Sequence, residues 1–159
     1  MAASAEGVNS LWKLNLEQNE IWEISDKLFC SDIVPSLTHL YLGNNQLSNL
    51  NFEFECIKKL QYLDVEYNKI KRLGRSSLQR IDRYFTQPKK SEDLIRKINL
   101  VGNPFVCDCN LRPMFDWLRD TTANLYRRDN LRCYTGIPEI NAGKNLEVIK
   151  YKSTIEFFV

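Results

Sequence analysis

This sequence has little of what catalytic and cofactor-binding proteins are built on. It holds one histidine, His39, and six glycines. No glycine run resembles a phosphate-cradling loop, and no serine, histidine and aspartate form a discernible catalytic motif. His39 is far in phase from every cysteine and a closely spaced thiol quartet is missing, so no zinc ligand set is expected. The net charge of +2 over 159 residues gives no global pull toward nucleic acid or a membrane surface. No apolar run approaches the ~18 residues of a spanning helix, and Met1 to Gly7 lack the apolar stretch of a signal peptide. The expectation is a chain without catalysis, cofactor or metal. A hydrophobic content of 43% is still enough for one packed domain.

What is present is a repeat. Leu11, Leu14, Leu16, Asn19 and Ile21 form a pattern that recurs as Leu37, Leu40, Leu42, Asn45, Leu47 and as Leu60, Leu63, Val65, Asn68, Ile70. A fourth copy reads Ile95, Ile98, Leu100, Asn103, Phe105. The asparagines lie 26, 23 and 35 residues apart. The first two spacings fall within the roughly 20–29 residues of one coil of a repeat protein, and the third requires an insertion. The alternation of leucines predicts a short strand with one inward face per coil. The asparagine marks the inward turn, where its amide can satisfy backbone groups of neighbouring coils that would be costly to bury unpaired.

Four such copies, followed by Cys107-Asp108-Cys109, Trp117-Leu118 and Cys133, resemble the extracellular leucine-rich-repeat family with a cysteine-rich C-terminal cap. The resemblance implies an α/β fold: a short right-handed solenoid with parallel concave strands and a disulfide cap. Repeats are expected over 9–103, with the insertion at about 76–92, and the cap over 104–159. It also implies secretion or a cell-surface ectodomain, and roles in receptors, adhesion or immune recognition. The usual cysteine-rich N-terminal cap is missing from the start, so the chain is expected to be a piece of a longer protein. Disulfides point to an oxidising compartment.

In the cap of that family four cysteines bridge first to third and second to fourth. Cys107, Cys109 and Cys133 match the first three, and no fourth follows. The resemblance thus implies Cys107–Cys133 with Cys109 free, or Cys109–Cys133 as the alternative. Cys30 and Cys56 each lie 11 residues after a repeat asparagine, in one phase of adjacent coils. They are read either as a bridge or as two buried thiols acting as small hydrophobes. Pro113 is expected to open a helix whose apolar side, Met114, Phe115, Trp117 and Leu118, covers the core of the Ile95 coil. The tail around Leu146, Val148, Ile149 and Tyr151 is expected to cross beneath that helix.

In the insertion, Leu78, Ile81, Tyr84 and Phe85 recur at helical spacing and predict one or two amphipathic turns on the convex side. Gln87 to Glu92 reads as a polar loop. Basic residues gather nearby, among them Arg80, Arg83, Lys89 and Lys90. They form either a solvated face or a site for sulfated polysaccharide.

Repeat proteins bind on their concave face, so a protein ligand or co-receptor is the expected partner there. Outward positions flanking the inner leucines include Lys13, Asn15, Glu17, His39, Tyr41, Asn44, Lys97, Asn99 and Val101. The candidate contacts are His39, Tyr41, Tyr62, Asp64, Glu66 and Tyr67, with the three tyrosines clustering across adjacent strands. Exposed strand tyrosines also follow β-propensity alone. Asp64 and Glu66 have the spacing of an acid/base pair, but an open strand surface gives neither a reason for a shifted pKa.

Overall fold

The structure, a computed structural model, describes residues 9–86, 95–136 and 142–146. Each repeat places one inward residue at the centre of a three-residue strand: β1 Lys13–Asn15, β2 His39–Tyr41, β3 Tyr62–Asp64 and β4 Lys97–Asn99. The strands pair in parallel in the order β1-β2-β3-β4. Their register aligns Leu14, Leu40, Leu63 and Ile98 in one inward row. Leu40, Leu63 and Ile98 are fully buried, whereas Leu14 is only half-buried in the first coil. Parallel strands need long connections, and here each connection is the rest of a coil.

The asparagines join one coil to the next. Asn45 donates to the carbonyls of Leu16 and Leu42 at 2.8 and 3.0 Å, and its Oδ1 accepts the Ile21 N–H at 3.0 Å. Asn68 repeats the set with Leu42, Val65 and the Leu47 N–H. Asn103 does so with Val65, Leu100 and the Ile70 N–H. The carbonyls of Leu42 and Val65 therefore each receive two asparagines, their own and the next. Asn19 is exposed and donates only within its own coil, to Leu16 and Glu17.

The insertion contains α1, Arg75–Phe85, three turns long where the periodicity predicts one or two. It buries Leu78, Ile81, Tyr84 and Phe85 against Phe54 and its neighbours. The helix changes one assignment in the fourth repeat. Ile95, the counterpart of the fully buried Leu37 and Leu60, is 59% exposed, while Tyr84 and Phe85 supply the buried apolar surface of this coil. The polar loop read over Gln87 to Glu92 lies outside the described residues.

In the cap, β5 (Phe105–Cys107) pairs in parallel with β6 (Cys133–Gly136), and α2 spans Arg112–Asp120 with Pro113 in its first turn. This helix buries Met114, Phe115, Trp117 and Leu118 in the core that also holds Ile98, Leu100 and Phe105 of the Ile95 coil. It packs on α1, where the Trp117 indole N–H donates to Asp82 at 2.7 Å. The last strand is flanked at its edge by the segment after α2: Ile98 N–H donates to Asn124 O, and Tyr126 N–H donates to Ile98 O. Leu146 is buried and bonded to Leu131, while Val148, Ile149 and Tyr151 lie outside the described residues.

Disulfides join Cys107 to Cys133 across the cap and Cys30 to Cys56 between adjacent coils, with Cα separations of 5.6 and 4.8 Å. The side chain of Cys109 lies outside the described part, so the reading of it as free does too. No helix of the described residues is long and apolar enough to cross a membrane.

Asn68→Ala leaves the buried Leu47 N–H unpaired and should destabilise the fold by about 2–3 kcal/mol. Asn19→Ala should stay within about 0.5 kcal/mol. Urea unfolding under non-oxidising, non-reducing buffer reads both. Replacing Cys30 and Cys56 together by alanine opens a loop of 26 residues. That change should lower stability by about 3–4 kcal/mol on the chain-entropy account, measurable in the same assay.

Candidate functional site

The register builds two outward rows on the concave face. One runs Lys13, His39, Tyr62, Lys97, and the other Asn15, Tyr41, Asp64, Asn99. Rings on these rows and beside them touch in series. Trp12 meets His39 edge-on at 5.9 Å, His39 stacks on Tyr41 at 6.3 Å, and Tyr41 lies 5.5 Å from Tyr62. Tyr62 then meets Tyr126 of the cap at 6.1 Å, edge-on. Such offset and edge contacts suit the ring quadrupoles. The Lys13 ammonium sits 4.7 Å above the Tyr41 ring, adding a cation–π contact. Between Tyr41, Tyr62, Tyr126 and Ile95 lies a depression of about 300 Å³, rimmed by Lys97.

The carboxylates do different work from the rings. Asp64 is only 5% exposed. It accepts from the Tyr62 hydroxyl at 3.1 Å and from the Glu66 N–H at 3.0 Å. Asp64 is thus not the surface contact expected of it: the side chain is too short to rise past the neighbouring ring and closes a turn instead. Asn15 and Asn99 make the same bond to the N–H two residues on, to Glu17 and Val101, a turn habit of Asx side chains. Glu66 is half-buried and accepts from Asn99 at 2.9 Å, so Asp64 and Glu66 are each engaged separately. Burial, and then the charge of Asp64, holds the Tyr62 phenol well above its ordinary pKa near 10. The Tyr41 phenol is raised for the same causes in the same order, with Glu17 contributing after Asp64.

Tyr67 does not join the other two tyrosines. It lies past the end of β3 with φ 47°, a left-handed conformation, and its ring covers Gly102. The residue before each repeat asparagine is left-handed: Gln18, Asn44, Tyr67 and Gly102. This turn swings Tyr67 off the strand row. A Cβ on Gly102 would come within 2.4 Å of the Tyr67 ring, so space requires glycine there, and its φ of 72° suits glycine.

The basic insertion is less open than its composition implies. Arg80 donates to the carbonyls of Leu50, Asn51 and Phe52 and lies over the Phe54 ring. Its guanidinium pins α1 to the preceding coil, which corrects its reading as a free polyanion contact. Arg83 is exposed, and Lys89 and Lys90 lie outside the described residues.

Residues 9–70 match the sequence model of the leucine rich repeat family. The four stacked parallel strands agree with that match. This chain carries leucine-rich repeats and folds as a leucine-rich-repeat solenoid. It is 27% identical over 127 residues to Protein halfway of Drosophila melanogaster, covering 79% of this chain and 20% of that protein. The crystal structure of human trophoblast glycoprotein superposes with a TM-score of 0.74 at 27% identity, over 94% of this chain and 48% of that one. Toll, in the Toll–Spatzle complex from Drosophila, shares the fold with a TM-score of 0.62 at 22% identity, over 89% of this chain and 16% of that one. The chain spans about a fifth of the length of the halfway proteins it matches.

In this leucine-rich-repeat solenoid, the concave face gathers His39, Tyr41 and Tyr62 but not Tyr67, and it draws in residues that the repeat phase alone misses. Trp12 precedes the first strand and is 59% exposed. Tyr126 and Arg127 come from the cap, and no periodicity places them. The signal that could have found Tyr126 is its apolar neighbour Leu125, which is buried and whose backbone bridges to Ile98.

Asp64→Asn should lower the Tyr62 pKa toward its ordinary value, and Tyr62→Phe should remove that transition from an alkaline titration followed by phenolate absorbance. A folded-state pKa above the unfolded one makes Tyr62's contribution to stability complete below pH 10 and lost as pH rises toward the folded value. The loss of stability between pH 10 and the folded-state pKa should therefore be smaller in Asp64→Asn than in the parent chain.

Proposed function

We propose that this chain is a protein-recognition module of an extracellular or cell-surface leucine-rich-repeat protein. Residues 9–103 carry the recognition face and 104–159 close its end. The family match supports a protein-interaction module in general, and two disulfides fit an oxidising compartment. Toll, one of the proteins it resembles, is solved with the protein Spatzle.

The observation that carries the reading is the continuous series of rings from Trp12 through His39, Tyr41 and Tyr62 to Tyr126. Tyrosine and tryptophan offer large contact area with few rotatable bonds, so little ordering is needed on binding. The rings are already held by one another, by Lys13 and by Asp64. A partner placed over β2 and β3 would seat an apolar side chain in the depression beside Ile95, with an acidic group near Lys97.

Screening the disulfide-bonded chain against a set of secreted and ectodomain proteins identifies a partner. Trp12→Ala with Tyr41→Ala should then weaken that partner at least tenfold, as loss of two aromatic anchors does. The melting temperature should move by no more than about 4 °C, since Trp12 is exposed and Tyr41 half-buried. Unchanged affinity in this variant would move the contact off the concave face.

A further inference from the structure

We infer that the cap end of the concave face carries a carboxylate-binding subsite, formed by Arg127 and Arg132 between Tyr67 and Tyr134, that takes an acidic peptide segment of a protein partner. The inference rests on the proposal that the chain binds protein, and it names the chemistry of what is bound.

A depression of about 370 Å³ opens there, lined by Tyr67, Arg127, Asn130, Arg132 and Tyr134 and floored by Gly102. Arg127 and Arg132 are exposed, and among the described residues neither forms an ion pair. Other arginines are engaged. Arg72 pairs with Asp108, Arg112 with Asp116 and Arg119 with Asp120. Arg80, Arg96 and Arg128 donate to backbone carbonyls. Arg75 and Arg83 are exposed as well, but they belong to the convex helix, whose one tyrosine, Tyr84, is buried. Among the described residues no carboxylate lines the depression, and the strand carboxylate Glu66 accepts from Asn99.

The walls are held in place without a ligand. Arg127 adopts a left-handed φ of 45° at the head of the turn Arg128–Asn130, and its carbonyl accepts from the Asn130 N–H at 2.8 Å. Its guanidinium lies 5.3 Å from the centre of the Tyr126 ring, the last ring of the concave series. Arg132 and Tyr134 flank Cys133, which the disulfide to Cys107 ties to β5. Tyr67 rests on Gly102. Two planar guanidinium forks match carboxylate geometry. Tyr134, 72% exposed, and Tyr67, 55% exposed, offer flat apolar surface for the residues between the acids. That pairing of charge with rings favours a peptide over a bare anion. Continuity through Tyr126 places the subsite on the path of a partner already lying along the rings.

The probe is a fluorescein-labelled decapeptide of aspartate and glutamate with two central leucines, titrated into the disulfide-bonded chain and followed by anisotropy. Saturable binding that weakens as salt rises is expected. Arg127→Gln with Arg132→Gln should lower its affinity at least tenfold, and Arg83→Gln should leave it unchanged. Because Arg127 has a left-handed backbone, Arg132→Gln alone serves as the second variant and should lower affinity at least threefold at an unchanged melting temperature. Equal affinity in these variants and the parent would overturn the subsite. So would a heparin tetrasaccharide that binds more tightly than the peptide and is lost in the same double variant, because the ligand class would then be a polysaccharide. Trp12→Ala with Tyr41→Ala should leave the decapeptide affinity unchanged. Its effect on the screened partner therefore judges the concave-face proposal separately from this one.

Discussion

The hydrogen-bond ladder of Asn45, Asn68 and Asn103 is the constraint on which the solenoid depends. Each amide donates to its own coil and to the preceding one, and each Oδ1 accepts an N–H of the preceding coil. Turning a chain inward every two dozen residues buries backbone groups that no strand can satisfy, and an unmade bond there costs more than a made one contributes. The amide, with two donors and an acceptor in one plane, suits this position as no apolar residue does. Burial of the leucine row then follows from the stacking that the ladder imposes.

The same repetition positions the recognition face. Because the ladder holds each coil at one phase, residues before and after the inward leucine fall into rows, and side chains distant in sequence become neighbours. His39 and Tyr62 pair in register, as do Tyr41 and Asp64. Asp64 holds Tyr62 by accepting its hydroxyl, so one row gives up a surface carboxylate and the other gains a fixed ring. The two disulfides act on the periphery of this plan, one between convex connections and one across the cap. They join segments that the ladder does not reach.

Much of this was legible from residue spacing. The positions of the four strands, the inward leucines, the asparagine roles and the phase shared by Cys30 and Cys56 all follow from a single period, since a coil leaves little freedom once its length is known. The candidate site was legible only in part. His39, Tyr41 and Tyr62 follow from strand alternation. Tyr67 departs from the row because the residue before each asparagine must adopt a left-handed turn, a feature that alternation does not encode. Asp64 is buried because it closes that turn, and its equivalents Asn15 and Asn99 carry the same clue in the sequence. Arg80 reads as one of many surface cations until its three carbonyl acceptors are seen.

By itself the sequence determined the repeat, the parallel sheet, the convex helix and the cap, because these rest on local periodicity and on residues with few alternative uses. The tertiary structure alone decided how the irregular parts meet. It seated α2 on α1 through Trp117 and Asp82, left Ile95 exposed, and laid the segment carrying Tyr126 and Arg127 along the last strand. Those contacts join residues outside any repeat, where packing volume and unpaired backbone groups select the arrangement and no period exists to be read.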